Sequence, residues 1–121
     1  MKKIVRGLKG TYLVKFSDTE LTFPEKLLSV LEGFSIRGFE TVLVKEEYSY
    51  LQMFPTLEEK GYFFTLENGK TRIPRSIKDC LGIENKGYVI GISYMLELWG
   101  PSWELHKKQL DSMDFSEIDV F

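Results

Sequence analysis

A pattern of strand, turn, strand, proline and short helix occurs twice in this 121-residue chain, and it limits the folds that the chain can adopt. In the second copy an apolar run ends at Asn68-Gly69, a dipeptide typical of a two-residue hairpin turn, and a helix is predicted from Pro74. In the first copy Asp18 and Pro24 take the same places, fifty positions earlier. A solenoid needs about three or more units to bury its faces, so we expect these two to close on each other as one pseudo-symmetric body.

The correspondence between the copies continues beyond the helices and sets the expected boundaries. Residues 37–39 match residues 86–88, and residues 51–55 match residues 96–101, with about four extra residues, 45–48, in the first copy. An insertion of this kind lengthens a loop and leaves the core intact. We predict a single domain, residues 1–121, with repeat one over about 5–58, repeat two over about 61–110 and an acidic tail over 111–121.

Strand periodicity predicts which side chains face the core. Side chains alternate between the two faces of a strand, so every second residue shares a face. In the second copy Thr71 and Ile73 are predicted to point inward, so Lys70 and Arg72 project together from the outer face. The first strand of each copy has a core face formed by Tyr12, Val14 and Phe16, and by Tyr62, Phe64 and Leu66.

The helix predicted after Pro74 carries an apolar stripe at the i, i+3, i+4 spacing, formed by Ile77, Cys80 and Leu81. The stripe predicts that Cys80 is a small buried side chain rather than a reactive thiol. It also leaves Arg75 and Lys78 on the exposed side of the helix.

Two hairpins and further short helices are predicted in the rest of the chain. Strands are expected over residues 39–44 and 49–54, and over 88–92 and 95–99, with short helices starting at Pro55 and Pro101. Aromatic side chains at the hairpin ends are expected to pack rather than to stack on bases, although both uses stay open: Phe54, Trp99 and Trp103.

Composition restricts the classes of function. Sixteen basic and eighteen acidic residues give a net charge of −2, so any nucleic-acid site must be a local patch. The single cysteine fits a reducing compartment, and no long apolar segment is present, so we predict a soluble, cytoplasmic protein with no membrane span. His106 is the only histidine, and neither a P-loop nor a dinucleotide fingerprint occurs, so no enzyme activity, metal site or cofactor is predicted.

The stretch Gly69-Lys70-Thr71-Arg72-Ile73-Pro74 resembles the Gly-Arg-x-x-apolar-Pro motif of the MraZ family, whose chains hold two units of the AbrB-like transcription-factor fold. Residues 88–91 and 96–99 resemble that family's closing hairpin, which ends in Glu-apolar-Trp, and Val5-Arg6-Gly7 is similar to its Phe-Arg-Gly opening. The resemblance implies a mostly β fold with short helices, in which two AbrB/MraZ-like β-hairpin-helix repeats close as one pseudo-twofold-symmetric intertwined β-barrel.

The resemblance also implies a function: a DNA-binding transcriptional regulator, associated with the nucleoid, that binds double-stranded operator DNA as a homo-oligomer. Lys70 stands where the family has arginine, and Glu20 occupies the equivalent place in the first copy, so the second copy is expected to supply the contacts. The candidate DNA-binding residues are Lys70, Arg72, Arg75, Lys78, Arg6 and Lys9.

A second hypothesis is a protein-interaction or antitoxin-like module of the same fold, with weak or no DNA binding. Its support is the tail, residues 111–121, which interleaves acidic and apolar side chains and contains no basic residue. Such a tail is either a docking segment for a protein partner or disordered, and the sequence leaves both open.

Overall fold

The computed structural model describes residues 7–59 and 61–112. The predictions for Arg6 and for residues 113–121 of the tail therefore lie outside the described residues. Within the described residues the chain forms the strands β1 (Leu8–Ser17), β2 (Glu20–Thr22), β3 (Gly38–Lys45), β4 (Ser49–Thr56), β5 (Phe63–Thr65), β6 (Lys70–Arg72), β7 (Lys86–Ser93) and β8 (Met95–Trp99), and the helices α1 (Glu25–Gly33), α2 (Arg75–Leu81) and α3 (Ser102–Ser112).

The eight strands form one antiparallel sheet in the order β5-β3-β4-β8-β7-β1-β2-β6, which curls into a nearly closed barrel. The two end strands, β5 and β6, meet through the hydroxyl of Thr71, which donates a hydrogen bond of 2.9 Å to the backbone carbonyl of Thr65. Next to this contact, Glu67 and Lys70 exchange two backbone hydrogen bonds of 2.9 Å across the Asn68-Gly69 turn. The prediction of a mostly β barrel with short helices is confirmed, although the barrel is nearly rather than fully closed.

Read as a ring in which β6 adjoins β5, the strand order is the same, in the opposite direction, when β1–β4 are exchanged with β5–β8. β1 pairs with β7 and β3 pairs with β5, so the first strand of each half adds to the second hairpin of the other half. β2 pairs with β6 around Leu21 and Thr71, and β4 pairs with β8 around Gln52 and Glu97. The two halves are therefore intertwined.

β3 and β7 are the third strands of the two halves, and their observed pairing gives a different match between the halves from the one that the sequence predicts. Phe39 pairs with Phe64, and Gly87 pairs with Val14, so Phe39 occupies the position of Gly87 rather than that of Tyr88. The cause is helix length: α1 has 9 residues and α2 has 7. Matching residues of β3 and β7 are consequently two positions closer in sequence than matching residues of the strands that precede the helices.

The core lies inside the barrel and under the helices. Val14, Phe16 and Ile73 are buried as predicted, and Leu21 of β2 is buried beside them. The prediction that Tyr62 belongs to the core is wrong. Its side chain is 82% exposed, because β5 begins only at Phe63.

The two prolines that were predicted to start helices behave differently. Pro101 precedes α3, but Pro55 lies within β4 and no helix starts there. α3 packs on the barrel through Trp103 and His106, whose rings lie 5.3 and 4.9 Å from the ring of the buried Trp99. Packing is therefore the role that Trp99 and Trp103 have in the structure. Of the helices described, none combines the length and the apolar character needed to cross a membrane.

Candidate nucleic-acid interface

The two hairpin turns at Asp18-Thr19 and Asn68-Gly69 are each held by the opposite half of the chain. The backbone N–H of Ile73 donates to the carbonyl of Thr19 at 2.8 Å, and the N–H of Phe23 donates to the carbonyl of Gly69 at 3.0 Å. Asp18 and Asn68 both have left-handed backbone, with φ of 54° and 53°, a conformation that these residue types tolerate. The ribbon of β2 and β6 is thus fixed at both ends.

Lys70 and Arg72 lie on the outer face of β6, as the alternation predicts. Both are exposed, whereas Thr71 between them is buried. Thr22 lies opposite Lys70 and Glu20 lies opposite Arg72 on the neighbouring β2. The outer face of this ribbon therefore places basic and acidic side chains next to each other.

Carboxylates from the first half contact two of the exposed cations. The ammonium nitrogen of Lys70 lies 3.5 Å from Oε1 of Glu20, and both side chains keep a large exposed fraction, 46% and 39%. The guanidinium of Arg75, at the start of α2, forms an ion pair with the carboxylate of Asp18. The sequence analysis gave Glu20 only as the first copy's equivalent of Lys70, so neither its contact with Lys70 nor the pairing of Asp18 with Arg75 was predicted.

Arg72 differs from its neighbours because its hydrogen bond in the structure goes to an uncharged group. Its Nη1 donates to the hydroxyl of Thr19 at 3.2 Å. Its charge is therefore available to an incoming anion without breaking an ion pair.

The prediction that Lys78 is an exposed DNA contact is wrong. Lys78 is 2% exposed, and its ammonium group donates a hydrogen bond to the backbone carbonyl of Asp18 and lies 4.9 Å from the centre of the Phe16 ring. The buried face of α2 is consequently shifted, and Cys80, predicted to be buried, is exposed. The physical reason is that the Asp18 turn covers this side of α2 and offers a carbonyl to the inward-pointing ammonium.

Lys9 is exposed but distant from the other candidates. It lies near the start of β1, eight residues before Ser17, so strand geometry separates the two by roughly 26 Å. The structure brings Lys70, Arg72 and Arg75 together and leaves Lys9 outside that group.

Two basic residues that the sequence reasoning missed lie on the same outer face. Lys15 of β1 and Lys86 of β7 are paired across neighbouring strands, and both are exposed. β2 and β6 follow β1 in the sheet, and Thr22 of β2 pairs with Lys70. Lys86, Lys15 and Lys70 therefore form a row across four adjacent strands, about 14 Å long at the usual strand spacing.

We call these five exposed cations the basic face: Lys15, Lys70, Arg72, Arg75 and Lys86. Three carboxylates lie among or beside them, those of Asp18, Glu20 and Glu67, the last being paired with Lys70 across the turn. The basic face thus combines five cations with these three carboxylates in a chain whose net charge is −2. The row itself could have been found from the sequence only by knowing that β1 pairs with β7.

No family model matches this sequence, and no curated protein matches it. Membership of the MraZ family therefore stays a proposal, supported by the stretch Gly69–Pro74 and by the closing hairpin.

Proposed function

We propose that this protein is a DNA-binding transcriptional regulator of the MraZ/AbrB type. The observation that carries the proposal is the row of Lys86, Lys15 and Lys70, with Arg72 beside it, on one outer face of the barrel. A contiguous set of exposed cations in an otherwise acidic chain is the arrangement that a phosphate backbone attracts. Arg6 and Lys9 are not needed for this face.

The unchanged ring order of the strands on exchange of the two halves supports the proposed duplication. Each half supplies the same series of two strands, a helix and two strands, and the shared pairings fall around Leu21–Thr71 and Gln52–Glu97. We propose that the halves are two AbrB/MraZ-like repeats that have diverged in charge: the first turn carries Asp18 and Glu20 where the second carries Asn68 and Lys70.

The ion pairs limit the affinity of one chain but do not prevent binding. An exposed ion pair contributes only about 0–1 kcal/mol, so Lys70 and Arg75 can exchange a carboxylate for a phosphate at small cost. The carboxylates remain close by and repel the phosphate. We therefore propose binding by a homo-oligomer, in which several basic faces contact one duplex side by side.

A titration of fluorescent duplex DNA at low salt tests this function. We expect Arg72→Ala and Lys15→Ala each to weaken binding by about tenfold, the loss of one charge-assisted contact. Lys108→Ala is the matched control, because Lys108 is exposed on α3, outside the basic face, and carries the same charge. Binding that is absent in the parent protein, or that falls equally in Lys108→Ala, contradicts the proposal.

The second candidate is the protein-interaction or antitoxin-like module. The observation that favours it is the neutralisation of Lys70 and Arg75 by Glu20 and Asp18 of the same chain. Under this alternative the parent protein shows no salt-dependent DNA binding, and a partner recovered from cell extract is lost when residues 111–121 are deleted.

A further inference from the structure

Part of β3 has a free edge among the described residues. β7 pairs with β1 over the whole length from Lys86 to Ser93. β3 pairs with β5 only from Gly38 to Glu40, and one more backbone hydrogen bond, 2.9 Å long, joins the N–H of Thr41 to the carbonyl of Tyr62. Beyond this bond β3 continues to residue 45 with no paired strand on that side in the described part of the chain.

An apolar groove of about 610 Å³ lies beside this free edge. Its walls come from β3, β4, β5 and α2, and they include Thr41, Leu43, Leu51, Phe64 and Ile77. Two apolar side chains at the groove are exposed: Tyr62 at 82% and Val42 at 47%.

The corresponding place in the other half is filled by the start of β1. Residues 8–11 pair with the end of β7, and Leu8 is fully buried in the core cluster together with Leu27 and Leu96. From the strand registers and the helix positions, Leu27 and Leu96 correspond to Ile77 and Leu51, which line the groove. The groove is therefore the equivalent of the site that residues 8–11 occupy, and no strand among residues 7–59 and 61–112 fills it.

The occupant of the filled site defines what the groove can accept. It is an extended segment, antiparallel to its neighbour, that puts an apolar side chain inward and hydrogen-bonds to the strand edge. In the second half the sequence position fifty residues after Leu8 is Glu58, which is exposed and lies in a bend rather than a strand. Glu58 therefore does not take the place in the groove that Leu8 takes in the other half.

We propose that the C-terminal segment of the same chain, residues 113–121, returns to this groove and that its last residues, 117–121, add a β-strand along the free edge of β3. Apolar and polar side chains alternate in two tracts whose phase changes at Glu117: Met113 and Phe115 share one face of an extended chain, and Ile118 and Val120 share the other. A period of two, with Ile, Val and Phe, is typical of a strand with one buried face. With Ile118 and Val120 facing the groove, the acidic Glu117 and Asp119 face solvent.

The position of α3 places the segment within reach. His106 of α3 packs against Tyr48, with ring centres 5.7 Å apart, and Tyr48 lies three residues after Lys45 at the end of β3. α3 ends at Ser112, about 9 Å of helix beyond His106. The nine residues that follow span up to about 30 Å when extended, enough to return to the β3 edge.

A docked tail would protect an exposed edge against pairing with other chains, a known hazard of open strands. It would also exclude any foreign strand from the groove. This role is separate from the basic face, which lies on β6, β1 and β7 and at the start of α2, so each can fail without the other.

Amide hydrogen exchange tests the proposal. The N–H of Thr41 points toward β5, so the alternation along β3 directs the N–H groups of Leu43 and Lys45 to the free edge and those of Val42 and Val44 to β4. We expect Leu43 and Lys45 to exchange at least about tenfold faster in a chain that ends at Ser112 than in the full chain. Val42 and Val44 serve as internal controls, with unchanged rates.

A full-length variant, Ile118→Asp with Val120→Asp, keeps the chain length but removes the apolar side chains proposed to dock. Its amides at Leu43 and Lys45 should exchange as fast as those of the truncated chain. Equal rates at Leu43 and Lys45 in the full, truncated and substituted chains overturn the proposal. Protection that grows with protein concentration, together with a doubled mass in sedimentation, also overturns it, because the occupant is then a second copy. Protection in the full chain that is independent of concentration supports the proposal.

Discussion

The ammonium group of Lys78 donates a hydrogen bond to the backbone carbonyl of Asp18, sixty residues away in the other half of the chain. The equivalent position in α1 is Leu28, whose Cδ2 lies 2.9 Å from the place that a Cβ on Gly69 would occupy. Each of the helices α1 and α2 therefore packs a long side chain against the turn of the opposite half. One of these contacts is polar and the other is apolar.

Lys78→Met should destabilise the protein by about 1–3 kcal/mol. Methionine keeps most of the apolar stem but removes the hydrogen bond, and the carbonyl of Asp18 loses its partner in a buried place. Urea denaturation measures the change in the free energy of unfolding. Lys108→Met is the control, and an equally small effect of both substitutions would show that the Lys78 contact does not stabilise the fold.

Gly69→Ala should cost about 1–2 kcal/mol, since Gly69 has a φ of +77° and the new methyl group would press on Leu28. Gly33→Ala is the matched substitution: Gly33 lies at the end of α1, its φ is not positive, and no atom lies within 4 Å of its Cβ position. Thermal unfolding should separate the two variants. Equal melting temperatures would contradict this account of the turn.

Thr71→Val should weaken the closure between β5 and β6. The substitution keeps the shape of the buried side chain but removes the hydroxyl that donates to the carbonyl of Thr65. We expect a loss of about 1 kcal/mol in urea denaturation. Faster amide exchange should be confined to residues next to the contact between β5 and β6. A uniform increase in exchange rate over all strands would contradict a local role for Thr71.

Neutralising the carboxylates beside the basic face should strengthen DNA binding. Asp18→Asn with Glu20→Gln removes the charges that pair with Arg75 and Lys70 and leaves those cations to phosphate. We expect the dissociation constant for duplex DNA to fall by about tenfold at low salt. Glu104→Gln with Asp111→Asn makes the same change of charge on α3 and should have a much smaller effect.

The sequence predicted the elements that depend on near neighbours. The Asn68-Gly69 turn, the helix after Pro74 and the outward direction of Lys70 and Arg72 all follow from turn chemistry and strand alternation within a few residues. These features hold in the structure because no distant contact competes with them.

The sequence could not predict features that depend on contacts between the halves. An apolar stripe through Cys80 is the best choice for an isolated helix, but the distant carbonyl of Asp18 turns Lys78 inward and Cys80 outward. Lys15 and Lys86 lie seventy-one positions apart and join the basic face only through the pairing of β1 with β7. Tyr62 lost its expected burial because β5 is shorter than β1.

The salt dependence of DNA affinity tests the central claim most directly, because each phosphate contact contributes about 0.9 to the slope of log affinity against log salt. For the parent protein, measured between about 50 and 200 mM salt, we predict a slope of −2.7 or steeper, equivalent to about three contacts per chain. The triple variant Lys15→Ala, Lys70→Ala, Arg72→Ala keeps Arg75 and Lys86, so its slope should be shallower than the parent slope by up to about 2.7. Lys107→Ala with Lys108→Ala should keep the parent slope. Absence of binding at the lowest salt, or the same slope in the parent and the triple variant, would contradict the claim that this face binds DNA.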